Sequence, residues 1–299
     1  MYLHLGFFGV TALGYEENYL TVAEFMGLEK NLNAKLVPFN AKINGFRDVK
    51  EDWELDLLRK AQKIADKAFK DTLPRIHAGM TELEAQAELI YEMYKNGAQG
   101  LSFDPIVVSG PNTSMPHGVA GERVIQEGDF ITMDFGVLYQ GYCSDTTRTF
   151  AMGPLTDEQK KMYTAVLRGN LNLAHARFLK GCSGYNLDVI CRTPLWQIGM
   201  DYKHGTGHGV GYLLNVHEGP NTFRWKLLEG ANAAELEPGM VTTDEPGVYL
   251  EGKYGIRLEN ELLCVEGPKN EYGQFLEFEI LTLIPWDLDA VDPAQMTEQ

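Results

Sequence analysis

One nine-residue pattern recurs in this chain, and it limits the fold more than any other feature. Gly128-Asp129-Phe130-Ile131-Thr132-Met133-Asp134-Phe135-Gly136 returns as Gly239-Met240-Val241-Thr242-Thr243-Asp244-Glu245-Pro246-Gly247, an offset of 111 (239 − 128). At that offset Gly128 falls on Gly239, Thr132 on Thr243, Asp134 on Glu245 and Gly136 on Gly247. A second acid follows each copy, Asp145 in one and Glu259 in the other. Each word predicts a strand that folds back on itself as a hairpin. Asp134 and Asp145 are centred on 139.5, so a turn at Tyr139-Gln140 sets them opposite each other. Glu245 and Glu259 are centred on Gly252, and a loop at Glu251-Gly252-Lys253 does the same for them. Facing side chains in an antiparallel pair have Cβ atoms about 5 Å apart. Two carboxylates at that distance repel unless a cation lies between them.

The segments before the two words also match. Leu55, Leu58, Ile64, Ala65 and Ala68 recur at three- and four-residue steps and predict a helix within Asp48–Ile76. Thr81 with Glu84 is a capping box for a second helix that stops at Asn96-Gly97. Helical patterns return over about 157–179 and 186–198. Gly181-Cys182-Ser183 echoes Gly79-Met80-Thr81 as the link between the paired helices. A strand is expected over 104–109, turning at Gly110-Pro111-Asn112 toward Met115-Pro116-His117-Gly118. The fold class is therefore α+β, two pseudo-symmetric helix-helix-hairpin halves with four carboxylates converging near the centre. Residues 1–45 show no domain pattern of their own and read as an edge hairpin or the remnant of a longer N-terminal domain. The catalytic unit is expected over 46–299.

Between the words lies His204-Gly205-Thr206-Gly207-His208-Gly209-Val210-Gly211, then Val216-His217-Glu218-Gly219-Pro220. His204 and His208 are four apart and would share a helix face, able to chelate one metal. Glycine at 205, 207, 209 and 211 argues against a helix, since each costs about 1 kcal/mol relative to alanine. The stretch reads better as strand or loop whose backbone approaches something closely, here a crowded metal centre. It lacks the Gly-x-Gly-x-x-Gly spacing of a dinucleotide site.

Composition narrows the partners. A formal charge of −16 repels nucleic acid and anionic membrane, and neither is expected. No apolar run reaches the roughly 20 residues a membrane span needs. The start, Met1 to Leu13, lacks a basic region and a cleavage site, so no signal peptide is expected. Cys143, Cys182, Cys191 and Cys264 form no C-x-x-C pair and read as free thiols of a reducing cytosol.

Four carboxylates in one cavity are prohibitively costly uncompensated. Two divalent cations supply the four positive charges. Oxygen-rich ligation with one imidazole suits Mn²⁺, and is compatible with Co²⁺ or Zn²⁺. Two ions about 3.5–4 Å apart can bridge a water and make it hydroxide near neutral pH, able to attack a carbonyl. The remaining histidines then stabilise the oxyanion and protonate the leaving nitrogen.

The order Asp134-x10-Asp145, His208, Glu245-x13-Glu259 resembles the pita-bread metallopeptidases, which include methionine aminopeptidase, aminopeptidase P and prolidase. The likeness covers about 46–285. Ser144-Asp145-Thr146-Thr147-Arg148-Thr149, Asn215-Val216-His217-Glu218-Gly219-Pro220, Gly255-Ile256-Arg257-Leu258-Glu259-Asn260 and the tail at 278–285 are most similar to aminopeptidase P of the eukaryotic cytosolic kind. The resemblance implies a curved antiparallel sheet and a set of roles. Asp134 would chelate the first metal, Asp145 and Glu259 would bridge both, and His208 and Glu245 would hold the second. Glu245 would also shuttle the proton of the attacking water. His117 and His217 would contact substrate at the scissile bond, and His204 would line a proline pocket. Tyr249 and Arg257 would support the ligands from behind. Arg148 and Arg257 are also candidate salt-bridge partners for the acids. The implied activity is removal of an N-terminal residue preceding proline, by a cytoplasmic homodimer acting on peptides with proline second. Its rivals are an Xaa-Pro dipeptidase, for which no group recognising a substrate carboxylate is identifiable in the sequence, and a non-catalytic peptide-binding module.

Overall fold

The computed structural model describes residues 9–213, 215–227 and 233–296. It contains two compact units that divide between Val49 and Lys50. In the first, β1 (Ala12–Tyr15) pairs in parallel with β2 (Lys35–Pro38), and helix α1 (Val22–Asn31) connects them. An edge hairpin is therefore the wrong reading of this segment. A parallel pair needs a crossover, and Thr21 starts that crossover helix through a reciprocal box with Glu24. A short helix, α2 (Asn40–Gly45), follows.

The second unit repeats a pattern of two helices followed by strands and a hairpin, with a short extra strand between the helices of the second half. First come α3 (Asp52–Thr72), α4 (Glu82–Lys95), β3 (Gly100–Leu101), β4 (Ile106–Ser109), β5 (Asp129–Phe135), β6 (Val137–Tyr139), β7 (Tyr142–Cys143) and β8 (Thr146–Met152). Then come α5 (Asp157–Ala174), β9 (Phe178–Leu179), α6 (Gly184–Trp196), β10 (Gly207–Val210), β11 (His217–Phe223), β12 (Val241–Asp244), β13 (Gly247–Leu250), β14 (Tyr254–Arg257), β15 (Asn260–Asn270) and β16 (Gly273–Ile280). Helix periodicity decides which faces are inside. α3 buries Leu58, Ala61, Ala65 and Ala68, and with Leu89 and Met93 of α4 it covers Ile131, Met133 and Phe135 of β5. Leu173 of α5 and Leu187 of α6 cover Phe223, Leu262 and Leu276 in the same way. Each such side chain contributes about 1.5–3 kcal/mol by leaving water.

Strand order is β4-β5-β8 in one half and β11-β10-β12-β15-β16-β9 in the other. The halves join where β8 abuts the corner between β14 and β15. There Glu259 N donates to Thr147 O (3.0 Å), and Thr149 Oγ1 donates to Arg257 O (2.9 Å). The fully buried Arg148 pins this seam by donating to the carbonyls of Glu259 and Ile284 and to Asn260 Oδ1. Its hydrogen bonds go to carbonyl oxygens, not to the acids expected as its partners.

The two hairpins differ in register. In the second, Asp244 faces Asn260 and Gly247 faces Arg257, so Glu245 lies across from Glu259 as expected. In the first, Asp134 faces Thr147, and Leu138 faces Cys143. Asp145 is thus diagonal to Asp134 on the same face, not directly opposite. The turn sits one residue later than expected, at Gln140-Gly141, where both φ angles are positive (50° and 91°). A tight two-residue hairpin needs that backbone, and Gly141 adopts it without strain.

Candidate dimetal active site

The acidic edges of the two hairpins and the histidine-rich strand open on one cavity of about 520 Å³. Asp134, Asp145, Glu245, Glu259, His117, His204, His208, His217, Tyr249 and Arg257 all line it. Asp134 is the last residue but one of β5, Asp145 precedes β8, Glu245 follows β12 and Glu259 precedes β15. His208 lies in β10 and His217 begins β11, and their rings meet edge to face at 4.2 Å.

The donor atoms of Asp145, His208 and Glu259 all lie within 4.8 Å of one another. His208 Nε2 is 3.4 Å from Asp145 Oδ2 and 3.7 Å from Glu245 Oε1. Its Nδ1 sits 3.0 Å from the Gly209 carbonyl. A carbonyl only accepts, so Nδ1 carries the proton and Nε2 presents its lone pair to the acids. Asp134 has one oxygen held by Arg257 Nη2 at 2.5 Å, while its buried Oδ1 has no partner among the described residues. Glu259 Oε2 accepts from Thr147 Oγ1 at 2.6 Å, and Thr147 Oγ1 in turn accepts from Arg257 Nε at 3.2 Å. Burial first, then the charges of Asp134 and Glu245, pushes Asp145 well above the ordinary carboxylate range. Burial, then Asp145, Glu245 and Asp134, does the same to Glu259.

These features fit a pair of divalent cations. The four acids carry −4 against the +2 of Arg257 and Arg224, a net of −2 before any metal binds. Asp134 Oδ1, buried without a partner among the described residues, and the bare His208 Nε2 are both left with lone pairs that such ions would take.

The three other histidines behave differently. His204 has both ring nitrogens engaged. Nδ1 donates to Gly205 O (2.6 Å), and Nε2 accepts from Tyr249 Oη (3.0 Å), which itself accepts from Arg257 Nη1 (3.1 Å). One chain of hydrogen bonds thus runs from Asp134 through Arg257 and Tyr249 to His204. His204 offers the cavity its ring surface rather than a free donor. His117 and His217 are exposed at the mouth. Burial, first of all, holds the His217 pKa below its ordinary value.

The glycines of this stretch are explained by neighbouring strands, not by the metal site. A Cβ on Gly207 would lie 1.8 Å from Thr243 O, on Gly209 2.1 Å from Glu218 O, and on Gly211 1.9 Å from Asn215 O. The cysteines stay out of the chemistry. All four are free, and burial pushes the Cys143 thiol up to about 11 and that of Cys264 up to about 12.

Several contributors escaped the sequence reading. Arg224 lines the cavity from the end of β11, with Phe103, Ile106 and Val216. Behind His204, Arg192 of α6 donates to the carbonyls of Tyr202 (2.7 Å) and His204 (2.8 Å), while Asp188 accepts from Thr206 Oγ1 (2.5 Å). The i, i+4 spacing of Asp188 and Arg192 was the available signal for that clamp. For Arg224 there was none.

A curled antiparallel sheet flanked by paired helices, with this donor set at its centre, is the architecture of the pita-bread metallopeptidases. The chain belongs to metallopeptidase family M24, whose model matches residues 56–266. It is 39% identical over 263 residues to the uncharacterized peptidase YqhT of Bacillus subtilis, covering 87% of this chain and 72% of that one. It is 41% identical over 206 residues to a probable Xaa-Pro aminopeptidase P of Botryotinia fuckeliana, covering 67% of this chain and 31% of the relative. Among solved structures it is similar to an Xaa-Pro dipeptidase from Bacillus anthracis, with a TM-score of 0.83 and 36% identity, covering 96% of this chain and 76% of that one. The chain thus spans about a third of the fungal relative's length. No helix among the described residues is long and apolar enough to cross a membrane.

Proposed function

We propose that this chain is a two-metal exopeptidase that releases an N-terminal residue preceding proline. The observation that carries the reading is the donor set: four carboxylates and one bare imidazole nitrogen around a single cavity. When bound, two divalent ions offset the carboxylate charge and activate water for attack on the scissile carbonyl. Asp134, Asp145, His208 through Nε2, Glu245 and Glu259 would hold the two ions. Manganese is the proposed metal because the ligands are oxygen-rich.

The remaining roles follow from placement. Arg257 and Thr147 fix Asp134 and Glu259 in the orientations that ligation needs. Glu245 is only partly buried and lies beside the cavity, so it takes the water's proton and passes it to the departing proline nitrogen. His217 is neutral near pH 7 and still donates through one nitrogen, toward the oxyanion. His117 reaches the peptide from the opposite lip, and the ring of His204 packs on proline. We place the enzyme in the cytosol as a homodimer, by its resemblance to aminopeptidase P.

The second reading is a dipeptidase, supported by the likeness to the Bacillus anthracis enzyme. Incubating the manganese-loaded chain with an Xaa-Pro-Pro tripeptide and an Xaa-Pro dipeptide separates the two. Release of the first residue from the tripeptide is expected. Cleavage of the dipeptide alone would replace the aminopeptidase reading, and no cleavage with no metal bound would leave a binding module.

A further inference from the structure

Resting on the exopeptidase reading, we infer that Glu82, a residue that does not line the cavity, positions His117 for its contact with the peptide. His117 lies on the segment between β4 and β5, and its own surroundings do little to fix it. It is exposed, as are Met115 and Val119 on either side. The segment must therefore be held at its ends. Glu82 is the first residue of α4 and is fully buried. Its Oε1 accepts from Ser109 N (2.7 Å), Ser109 Oγ (2.9 Å) and Asn112 Nδ2 (3.0 Å). Its Oε2 accepts from Asn112 Nδ2 (3.2 Å) and Gly121 N (3.1 Å). One carboxylate thus grips the chain both before His117, at Ser109 and Asn112, and after it, at Gly121.

None of these bonds serves α4 itself, whose start is capped by Thr81 and Glu84. Arg123 forms its ion pair with Asp129 (2.7 Å) and reaches Glu82 through Ser109 Oγ. Two turns in succession pass the grip on to His117. Met115 N donates to Asn112 O (3.0 Å), and Gly118 N donates to Met115 O (3.0 Å). A second anchor ties the same segment to β14, where Thr113 Oγ1 accepts from Gly255 N (2.6 Å). Every group on Glu82 is an N–H or O–H donor, and a carboxylate meets them because both its oxygens accept. A glutamine of the same shape must turn its NH2 group toward one of these donors. A buried carboxylate is costly unless its oxygens are hydrogen-bonded, and here all of its bonds go to the lip that carries His117.

Glu82→Gln tests this in the manganese-loaded full chain with Ala-Pro-Leu as substrate. The expected result is a fall in kcat/KM of roughly tenfold, since about 1 Å of misplacement in a positioning group can cost more than that. Manganese affinity by calorimetry should be unchanged, because no bond of Glu82 reaches a proposed ligand. In a His117→Ala background the same substitution should change kcat/KM little, because residues that act as a unit are not additive. An equal fall in both backgrounds would mean a role in stability alone and would overturn the proposal. Asn112→Ala leaves the Ser109 and Gly121 bonds in place and serves if Glu82→Gln folds poorly. It should show a smaller loss that is again absent in the His117→Ala background. Spectra of the zinc-loaded chain with ¹⁵N-labelled histidine read the same coupling without cleavage. The ring signals missing from His117→Ala should shift in Glu82→Gln and in Asn112→Ala, while those of His204 and His208 keep their positions. That shift in a chain that cleaves no peptide would keep the positioning role and remove the exopeptidase reading. Unmoved His117 signals, or signals of all three histidines moving together, would overturn the positioning role whatever the activity.

Discussion

Gly207→Ala tests the link between strand packing and the metal site most directly. The added Cβ would lie 1.8 Å from Thr243 O and 2.7 Å from Thr243 C, and real Cβ contacts do not fall below 3.0 Å. The strands must separate by about 1.2 Å (3.0 − 1.8) at this point. The obstacle is backbone, so no rotamer change relieves it. Overpacking of this kind costs about 1–3 kcal/mol, and a rigid backbone obstacle places it at the upper end. For a chain of this size 3 kcal/mol is roughly 6–12 °C in Tm. The displaced residue is next to His208, whose Nε2 lies 3.4 Å from Asp145, so a shift of that size also spoils ligation. A metal affinity at least about tenfold weaker is expected, in line with losses on disturbing ligand support. Scanning calorimetry of the chelated protein reads the first effect, and calorimetric Mn²⁺ titration reads the second. Gly100→Ala serves as control, because its Cβ would meet only Leu138 side-chain atoms at 3.5 Å. If Gly207→Ala melts within about 2 °C of wild type, less than 1 kcal/mol has been lost and the close-approach argument is wrong.

Other expectations follow from the same geometry. Asp145→Ala should abolish both metal uptake and peptide cleavage, and full activity in that variant would refute its place between the ions. Thr147→Val removes the hydroxyl between Arg257 and Glu259, leaving a buried carboxylate oxygen unpaired. It should cost about 1–3 kcal/mol in urea unfolding, together with metal affinity, and unchanged values for both would count against the support role. In metal-free protein Asp145 is held above the ordinary carboxylate range, so folding favours its protonated form. Its contribution is fully present below the unfolded value of about 3.9 and is lost as pH rises toward the folded value. The stability of wild type relative to Asp145→Asn should therefore fall as pH rises above about 4 in chelated urea unfolding. A pH-independent difference would show that Asp145 is not under this electrostatic load.

The parts of the structure legible in the sequence are those set by short-range physics. Helices over 52–72, 82–95, 157–174 and 184–196 follow from apolar residues at three- and four-residue steps and from the Thr81–Glu84 box, with Glu84 N to Thr81 Oγ1 at 3.2 Å. The acids could be paired because each pair sits within a single hairpin, where same-face placement depends only on period two. Register was harder, because it depends on which two residues turn. Counting inward from Asp134 and Asp145 ignored that Gly141 is the residue best suited to positive φ, and the error of two kept both acids on one face while moving them to a diagonal. In the second hairpin a three-residue loop around Gly252 left the symmetric count intact.

What stayed illegible comes from contacts between segments distant in sequence. The glycines at 207, 209 and 211 signalled close approach, but not that the neighbours are carbonyls of adjoining strands and loop. His204 looked as free as His208, yet a tyrosine 45 residues away occupies its second nitrogen. Arg224 belongs to no acid spacing and no motif, and only the folded chain shows its guanidinium over Gly205. This division separates what is general in the protein from what is particular. The acids proposed to bind metal lie on hairpins whose geometry is local, so the class of chemistry can be read from spacing. The histidines proposed to meet the substrate, His117, His204 and His217, lie on loops and at a strand end whose positions depend on the whole fold.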